Sequence, residues 1–239
     1  MREAKDLYGS QYGSIGFVIG SGPSMEYAKA KLSVPKKHVF TIAVNRAITE
    51  VPADYWLWID QVAYTNWKDH PNAKAAIKVG VDKWADVYDK DVYTWERVIG
   101  NTKDGLEQGN LVHRNTSTIA AISLAFRLGA VRIITVGCEN CLTPEAMEEK
   151  RKLPDGDLKI NYDISTFARV SEALANRKHW LHPKVMLADA SKTGTKWGQL
   201  NLPKTTIGEE LTAIEAYWKW RAEQKGEERK KKLWLPSHS

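Results

Sequence analysis

Residues 15–24 read Ile15-Gly16-Phe17-Val18-Ile19-Gly20-Ser21-Gly22-Pro23-Ser24, and the fold class turns on how this stretch is read. The apolar run 15–19, bounded by Gly13-Ser14 before and Gly20-Ser21-Gly22 after, has the length and borders of a buried strand. A helix is expected from Ser24 to Leu32, with Ser24 as its cap and Met25, Ala28 and Leu32 near one face. Strand, glycine turn and helix in that order open a parallel α/β sheet. A turn without Cβ atoms lets backbone N–H groups approach a phosphate, and a helix N-terminus adds favourable potential there. Gly20-Ser21-Gly22-Pro23-Ser24 is thus the expected phosphate-facing turn. It is neither G-x-G-x-x-G nor a turn followed by Gly-Lys-Ser/Thr, which counts against a dinucleotide fold and a P-loop ATPase.

Working outward, residues 39–44 read as a second strand ending at Asn45-Arg46, and 55–59 as a third ending at Asp60. Ligand crevices of open parallel sheets lie beyond the carboxyl ends of the strands, so Ser21, Asn45 and Asp60 should converge. Thr116-Ser117-Thr118 caps an apolar helix ending at Gly129, and a strand over 131–136 runs into Gly137-Cys138-Glu139-Asn140. Residues 185–189 give a late strand. The expectation is an α/β chain, residues 1–239 forming a single Rossmann-like domain with a mostly parallel sheet and helices on both faces. Its nucleotide-binding core is 1–60 with 111–140. Residues 61–110, with one or two short helices, read as a variable acceptor-side insertion or lid. Residues 142–163 read as an excursion over the site, 165–178 as a helix and 193–198 as a loop. Residues 209–239 form a C-terminal helix with Leu211, Ile214, Tyr217 and Trp218 on one side, dissolving into the basic run Arg229-Lys230-Lys231-Lys232.

At 239 residues and 43% hydrophobic, the chain can bury a sizeable core. No apolar run approaches the roughly 18 to 20 residues of a membrane span. The first residues lead into no signal-like core, so a cytoplasmic location is expected. Cys138 and Cys141 form a lone C-x-x-C without the second pair that a structural zinc site needs. They read as reduced thiols rather than a redox pair, and no residues are assigned to a metal. A net charge of +6 favours polyanionic partners, and ten tryptophans offer stacking platforms as well as core volume.

Asn45 could hydrogen-bond a ribose or phosphate, or merely end its strand in an Asx-turn. Asp60 could bind a ribose hydroxyl, orient an acceptor or hold a cation, or cap a helix. A transfer to a hydroxyl needs a base, for which Asp60, His113, Glu139, Asp163, His179, His182 and Asp189 are the titratable candidates near loops. Asp60 and His113 are taken as the catalytic pair.

The stretch 15–24, Asn45-Arg46-Ala47, Asn115-Thr116-Ser117-Thr118 and the run from Gly129 to Glu139 together resemble the bacterial lipooligosaccharide sialyltransferases and related MptE-like proteins. That group includes 6-hydroxymethylpterin diphosphokinases and small phage-encoded members, and a phage-type member is the expectation here. The resemblance covers about residues 15 to 139 in pieces. It implies a donor nucleotide on Gly20, Ser21, Gly22, Pro23, Ser24 and Asn45, with Thr116 and Ser117 facing it. Glu139 stands where an aspartate is common in the family, and the family's histidine is not matched to His179 or His182. The implied activity is glycosyl transfer from a UDP- or CMP-sugar to an acceptor hydroxyl, the acceptor being for instance a hydroxymethylated base in DNA. Aromatic residues of 56–95 and basic residues of the last helix would then line the acceptor groove. The alternatives are a pterin-type diphosphokinase, with magnesium on Asp60 and Glu139, and a nucleic-acid-binding protein without catalysis.

Overall fold

The computed structural model describes residues 2–27, 29–32, 37–96, 111, 116–138, 148, 151–152, 154, 184–188 and 204–233. The expected helix over 165–178, the loop over 193–198 and most of 142–163 lie outside them. The strands are β1 (Arg2–Glu3), β2 (Ile15–Ile19), β3 (Val39–Val44), β4 (Tyr55–Trp58) and β5 (Ile77–Val81), then β6 (Tyr93–Trp95), β7 (Arg132–Val136), β8 (Lys184–Ala188) and β9 (Lys204–Thr205). The helices are α1 (Lys29–Leu32), α2 (Gln61–Trp67), α3 (Pro71–Ala75), α4 (Ser117–Leu128) and α5 (Ile207–Leu233). The strands form one sheet in the order β1-β6-β5-β4-β3-β2-β7-β8-β9. Every neighbouring pair is parallel. The α/β class and parallel sheet expected from the sequence are present.

Period-two alternation divides the core between the two faces of the sheet. Val18, Phe40, Ile42, Val44, Tyr55, Leu57 and Ile133 pack under Ile119, Ile122 and Leu128 of α4. Phe17, Ile19, Ala43, Trp56, Trp58, Ile134 and Val136 face Tyr64 of α2, Ala73 of α3 and Leu211 and Ile214 of α5. The Thr116 hydroxyl caps α4 by accepting from the Ile119 N–H, and Gly129 ends the helix at φ 100°, as the sequence indicated. The α4 C-terminus is tied to the segment before β2: Gly9, Gln11 and Gly13 N–H donate to the Arg127, Leu128 and Gly129 carbonyls. Its N-terminus therefore sits at the opposite edge, where the strands end.

Four expectations change. In place of one helix over 24–32 there is a 3-10 turn, Pro23–Tyr27, and then α1. Residues 61–96 are not simply one or two helices, because they supply β5 and β6 to the sheet. Lys78 and Gly80 hid β5. The Lys78 ammonium is buried against Asp91, and a Cβ at Gly80 would meet the Trp58 and Tyr88 rings. Tyr55, Trp56, Trp58 and Tyr64 are interior, so these aromatic rings cannot line a groove. On α5, Tyr217 is 48% exposed while Ile207, Glu210, Leu211 and Ile214 are buried, and the helix continues through Leu233. Thr206 and Glu209 cap its start reciprocally, N–H to side chain in both directions, and Arg132 holds Glu210 at 2.7 Å. Among the described residues no helix is long and apolar enough to cross a membrane.

From β2 the chain steps outward through β3, β4, β5 and β6, then returns to place β7 on the other side of β2. This reversal is a topological switch point. Here two glycines meet. A Cβ on Gly20 would lie 2.1 Å from the Gly137 carbonyl oxygen, and one on Gly137, at φ +67°, would lie 2.2 Å from the Gly20 oxygen. Gly20→Ala should cost roughly 1–3 kcal/mol through overpacking. Gly137→Ala should add about 1–2 kcal/mol for its left-handed backbone. Urea denaturation reads both, and unchanged midpoints would contradict the close contact.

Candidate functional site

Strand register lays out the carboxyl edge. Ile19 aligns with Ala43, Ala43 with Trp56 and Trp58 with Gly80, and Gly80 aligns with Thr94. Two residues beyond Ile19 and Ala43 come Ser21 and Asn45; two beyond Trp58, Gly80 and Thr94 come Asp60, Asp82 and Glu96. The edge thus presents, strand by strand from β2 to β6, Ser21, Asn45, Asp60, Asp82 and Glu96, with the α4 N-terminus on one face. Ser21, Asn45 and Asp60 fall on one edge, as the sequence indicated.

The expected phosphate turn is built differently from the expectation. The Gly20 N–H donates to the Val136 carbonyl at 2.8 Å and the Gly22 N–H to the Gly137 carbonyl at 2.6 Å. Both amides therefore hold β7 rather than facing a ligand. Ser24, 1% exposed, accepts from the Gly137 N–H at 2.7 Å, so its hydroxyl braces the same junction in place of capping a helix. Pro23 opens the 3-10 turn and has no N–H. Ser21 is the residue of the turn whose amide and hydroxyl have no protein partner among the described residues.

Asn45 begins a 3-10 turn at φ 50°, in the left-handed region. Its backbone carbonyl accepts from Trp56 Nε1 at 3.0 Å, while its side-chain Oδ1 is buried with no hydrogen-bond partner among the described residues. A buried, unpaired amide oxygen costs on the order of 1–3 kcal/mol. Left-handed backbone at a residue other than glycine adds a cost of similar order, about 1–3 kcal/mol. Two unfavourable features thus coincide at one strand end.

Asp60 occupies the N-cap position of α2, but its side chain makes no capping hydrogen bond. Its carboxylate stands exposed at the end of β4. Beside it the Tyr88 hydroxyl accepts from Trp58 Nε1 at 2.9 Å and is pushed up to about 12, first by burial and further by the charges of Asp82 and Asp60. Asp60, Asp82 and Tyr88 therefore share one neighbourhood. Thr116 and Ser117 are buried in the first turn of α4. The Thr116 hydroxyl is engaged as the cap, leaving the dipole of the helix as what this end offers an anion. His113 and Glu139, like Asp163, His179, His182 and Asp189, lie outside the described residues. Cys138 is 2% exposed with Sγ against the Val18 and Val136 carbonyls, a packed thiol. Asp82, Tyr88 and Glu96 were missed from the sequence because β5 and β6 were missed.

No family model and no curated protein matches the chain. Among solved structures it is similar to the sialyltransferase CstII of Campylobacter jejuni, solved in complex with a substrate analogue, CMP-3FNeuAc. Identity is 11%, with 81% of this chain and 86% of that chain covered at a TM-score of 0.47. A likeness at this level assigns neither a residue nor an activity to the chain.

The Asn45 geometry has a direct consequence. Asn45→Gly removes both unfavourable features and keeps the carbonyl that Trp56 uses. It should leave the melting midpoint unchanged or raise stability by about 1 kcal/mol or more. A clear loss of stability in thermal denaturation would show that the amide is part of the packing.

Proposed function

We propose that the chain is a glycosyltransferase that takes a nucleotide-sugar donor at the carboxyl edge of β2 and β3. The observation that supports this reading is Asn45 beside the switch point, whose buried side-chain Oδ1 has no hydrogen-bond partner among the described residues. A ribose hydroxyl or the edge of a base supplies the missing hydrogen bond. The Ser21 N–H, without a protein partner among the described residues, and the positive end of α4 suit the phosphate. The order of motifs shared with the lipooligosaccharide sialyltransferases supports the same donor class, a UDP- or CMP-sugar.

In the transfer, an acceptor hydroxyl oxygen bonds to the anomeric carbon as the bond from that carbon to the donor phosphate oxygen breaks. The electron pair leaves with the nucleotide, where the helix end stabilises the phosphate charge. The acceptor proton passes to the Asp60 carboxylate, which is exposed on the adjacent strand end and takes no part in helix capping. A nucleic-acid acceptor would have to bind without Trp56 and Trp58, which are in the core.

Nucleotide release from UDP- and CMP-sugars, with and without EDTA, tests the reading. One donor should turn over with EDTA present. Asp60→Asn should slow that turnover by about 10²- to 10⁴-fold while donor binding persists. AMP release from ATP that requires a pterin-type alcohol as acceptor and is abolished by EDTA would instead establish diphosphate transfer, and an unimpaired Asp60→Asn variant would remove Asp60 as the base.

A further inference from the structure

Asp60 stands at the end of β4, and a hydrogen bond holds the backbone on either side of it. Trp84 Nε1 donates to the Ile59 carbonyl at 3.3 Å, and the Ala63 N–H donates to the Asp60 carbonyl at 3.1 Å. The Ile59 carbonyl belongs to the peptide unit that carries the Asp60 N–H, and the Asp60 carbonyl to the unit that follows. Each unit is planar, so holding both restricts the two torsions between them, which rest at φ −104° and ψ 131°. The carboxylate itself is exposed and makes no capping hydrogen bond. We propose that Trp84 is a positioning residue for Asp60, its indole N–H fixing the backbone from which the carboxylate reaches the acceptor hydroxyl. The task of Asp60 as base is that of the glycosyl-transfer reading, on which this rests; the hold on its backbone stands without it.

Trp84 reaches this place from the next strand. It lies in the 3-10 turn Asp82–Val87 that follows β5, and β5 pairs with β4 with Gly80 aligned to Trp58. The segment leaving β5 therefore runs beside the residues leaving β4, and it grips two of them in succession. The Tyr88 hydroxyl accepts from Trp58 Nε1 at 2.9 Å, and Trp84 donates to Ile59. Gly80 makes room for this, since a Cβ there would lie 2.7 Å from the Tyr88 ring and 2.9 Å from the Trp58 ring. At Trp84 the backbone departs from the helical region, with φ −114° and ψ 18°. The half-buried indole packs against the core, as Ile59 does, and carries the Lys83 ammonium 4.5 Å from a ring centroid. The donor is thus itself held on both sides.

A base must come within about 2.6–3.2 Å of the group whose proton it takes, and small misplacements of a catalytic group are costly in rate. A carboxylate with no hydrogen bond capping the helix depends on its own backbone for that placement. The donor, in the proposed reading, is held at Ser21 and Asn45 on the other side of β4, away from Trp84. Releasing the Ile59 carbonyl should therefore lower kcat and spare the KM for the donor. A tryptophan that served packing alone would change stability without this division, and its effect on rate would not depend on the presence of the Asp60 carboxylate.

Kinetics of nucleotide release by the full chain, Trp84→Phe, Asp60→Asn and the double variant test this, with each fold checked by melting. Trp84→Phe keeps an aromatic ring and removes the donor. Replacement of Trp84 by benzothienylalanine, with sulfur in place of the N–H, keeps the volume as well and serves if the phenylalanine variant does not fold. Either change should lower kcat by about three- to tenfold, the loss of one neutral hydrogen bond, with the donor KM unchanged. Neither should slow the Asp60→Asn chain further. NMR relaxation of the Asp60 amide gives a readout without turnover: an order parameter of about 0.85 in the parent, falling toward the roughly 0.6 of flexible backbone in the variants. An unchanged kcat, an equal slowing of the Asp60→Asn chain, a raised KM in place of a lowered kcat, or an Asp60 amide as rigid in the variants as in the parent would each overturn the proposal. If the parent turns over no donor, the glycosyl-transfer reading fails, and the amide measurement still decides whether Trp84 holds the Asp60 backbone.

Discussion

The carboxyl edge depends on a contact between two stretches of backbone with no side chain between them. Gly20 and Gly137 approach so closely that neither tolerates a Cβ, and the hydrogen bonds of Gly20, Gly22 and Ser24 lock the end of β2 to the end of β7. These strands flank the point where the chain reverses its direction of travel across the sheet. Fixing them sets the direction in which the turn leaves β2, and hence where the Ser21 amide stands relative to Asn45. Glycines that look like a phosphate cradle thus act first as a seam, which leaves the Ser21 amide as the one of the turn without a partner among the described residues.

The positions of Gly20, Gly22 and Ser24 could be picked out from the sequence, but their task could not. A glycine that admits a phosphate and a glycine that admits a neighbouring carbonyl leave the same mark in one chain. Strands whose apolar residues run unbroken, β2, β3, β4 and β7, were legible, as was α4 with its threonine cap and terminal glycine. β5 was not. Lys78 pairs with Asp91 and Gly80 receives two aromatic rings, relations between residues distant in sequence that interrupt the expected pattern. Losing β5 and β6 also concealed Asp82 and Glu96. The unpaired state of the Asn45 Oδ1 among the described residues had no signal in the sequence, since it depends on what surrounds the side chain in three dimensions.

The aromatic content divides by depth. Trp56, Trp58, Tyr64 and Tyr88 form a cluster with ring centroids 4.3 to 6.2 Å apart. Its hydrogen bonds are made internally or to backbone: Trp58 to the Tyr88 hydroxyl, Trp56 to the Asn45 carbonyl and Asp89 N–H to the Tyr64 hydroxyl. This cluster supports the edge from beneath, since one member holds the Asn45 backbone and another lies beside Asp60 and Asp82. The overall positive charge is likewise no description of this edge, where the described ends of β4, β5 and β6 carry Asp60, Asp82 and Glu96. Net charge describes the whole surface, whereas recognition follows the groups within a few ångströms of the ligand.

The central claim is the proposed one, that the Asn45 side chain, with its Oδ1 unpaired among the described residues, binds a nucleotide. A crystal structure of the chain grown with CMP or UDP tests it most directly. The account predicts the nucleotide over the ends of β2 and β3, with the Asn45 amide within hydrogen-bond distance of its ribose or base and the Ser21 N–H directed at phosphate. A nucleotide bound elsewhere, with the Asn45 amide paired to protein atoms, would contradict it.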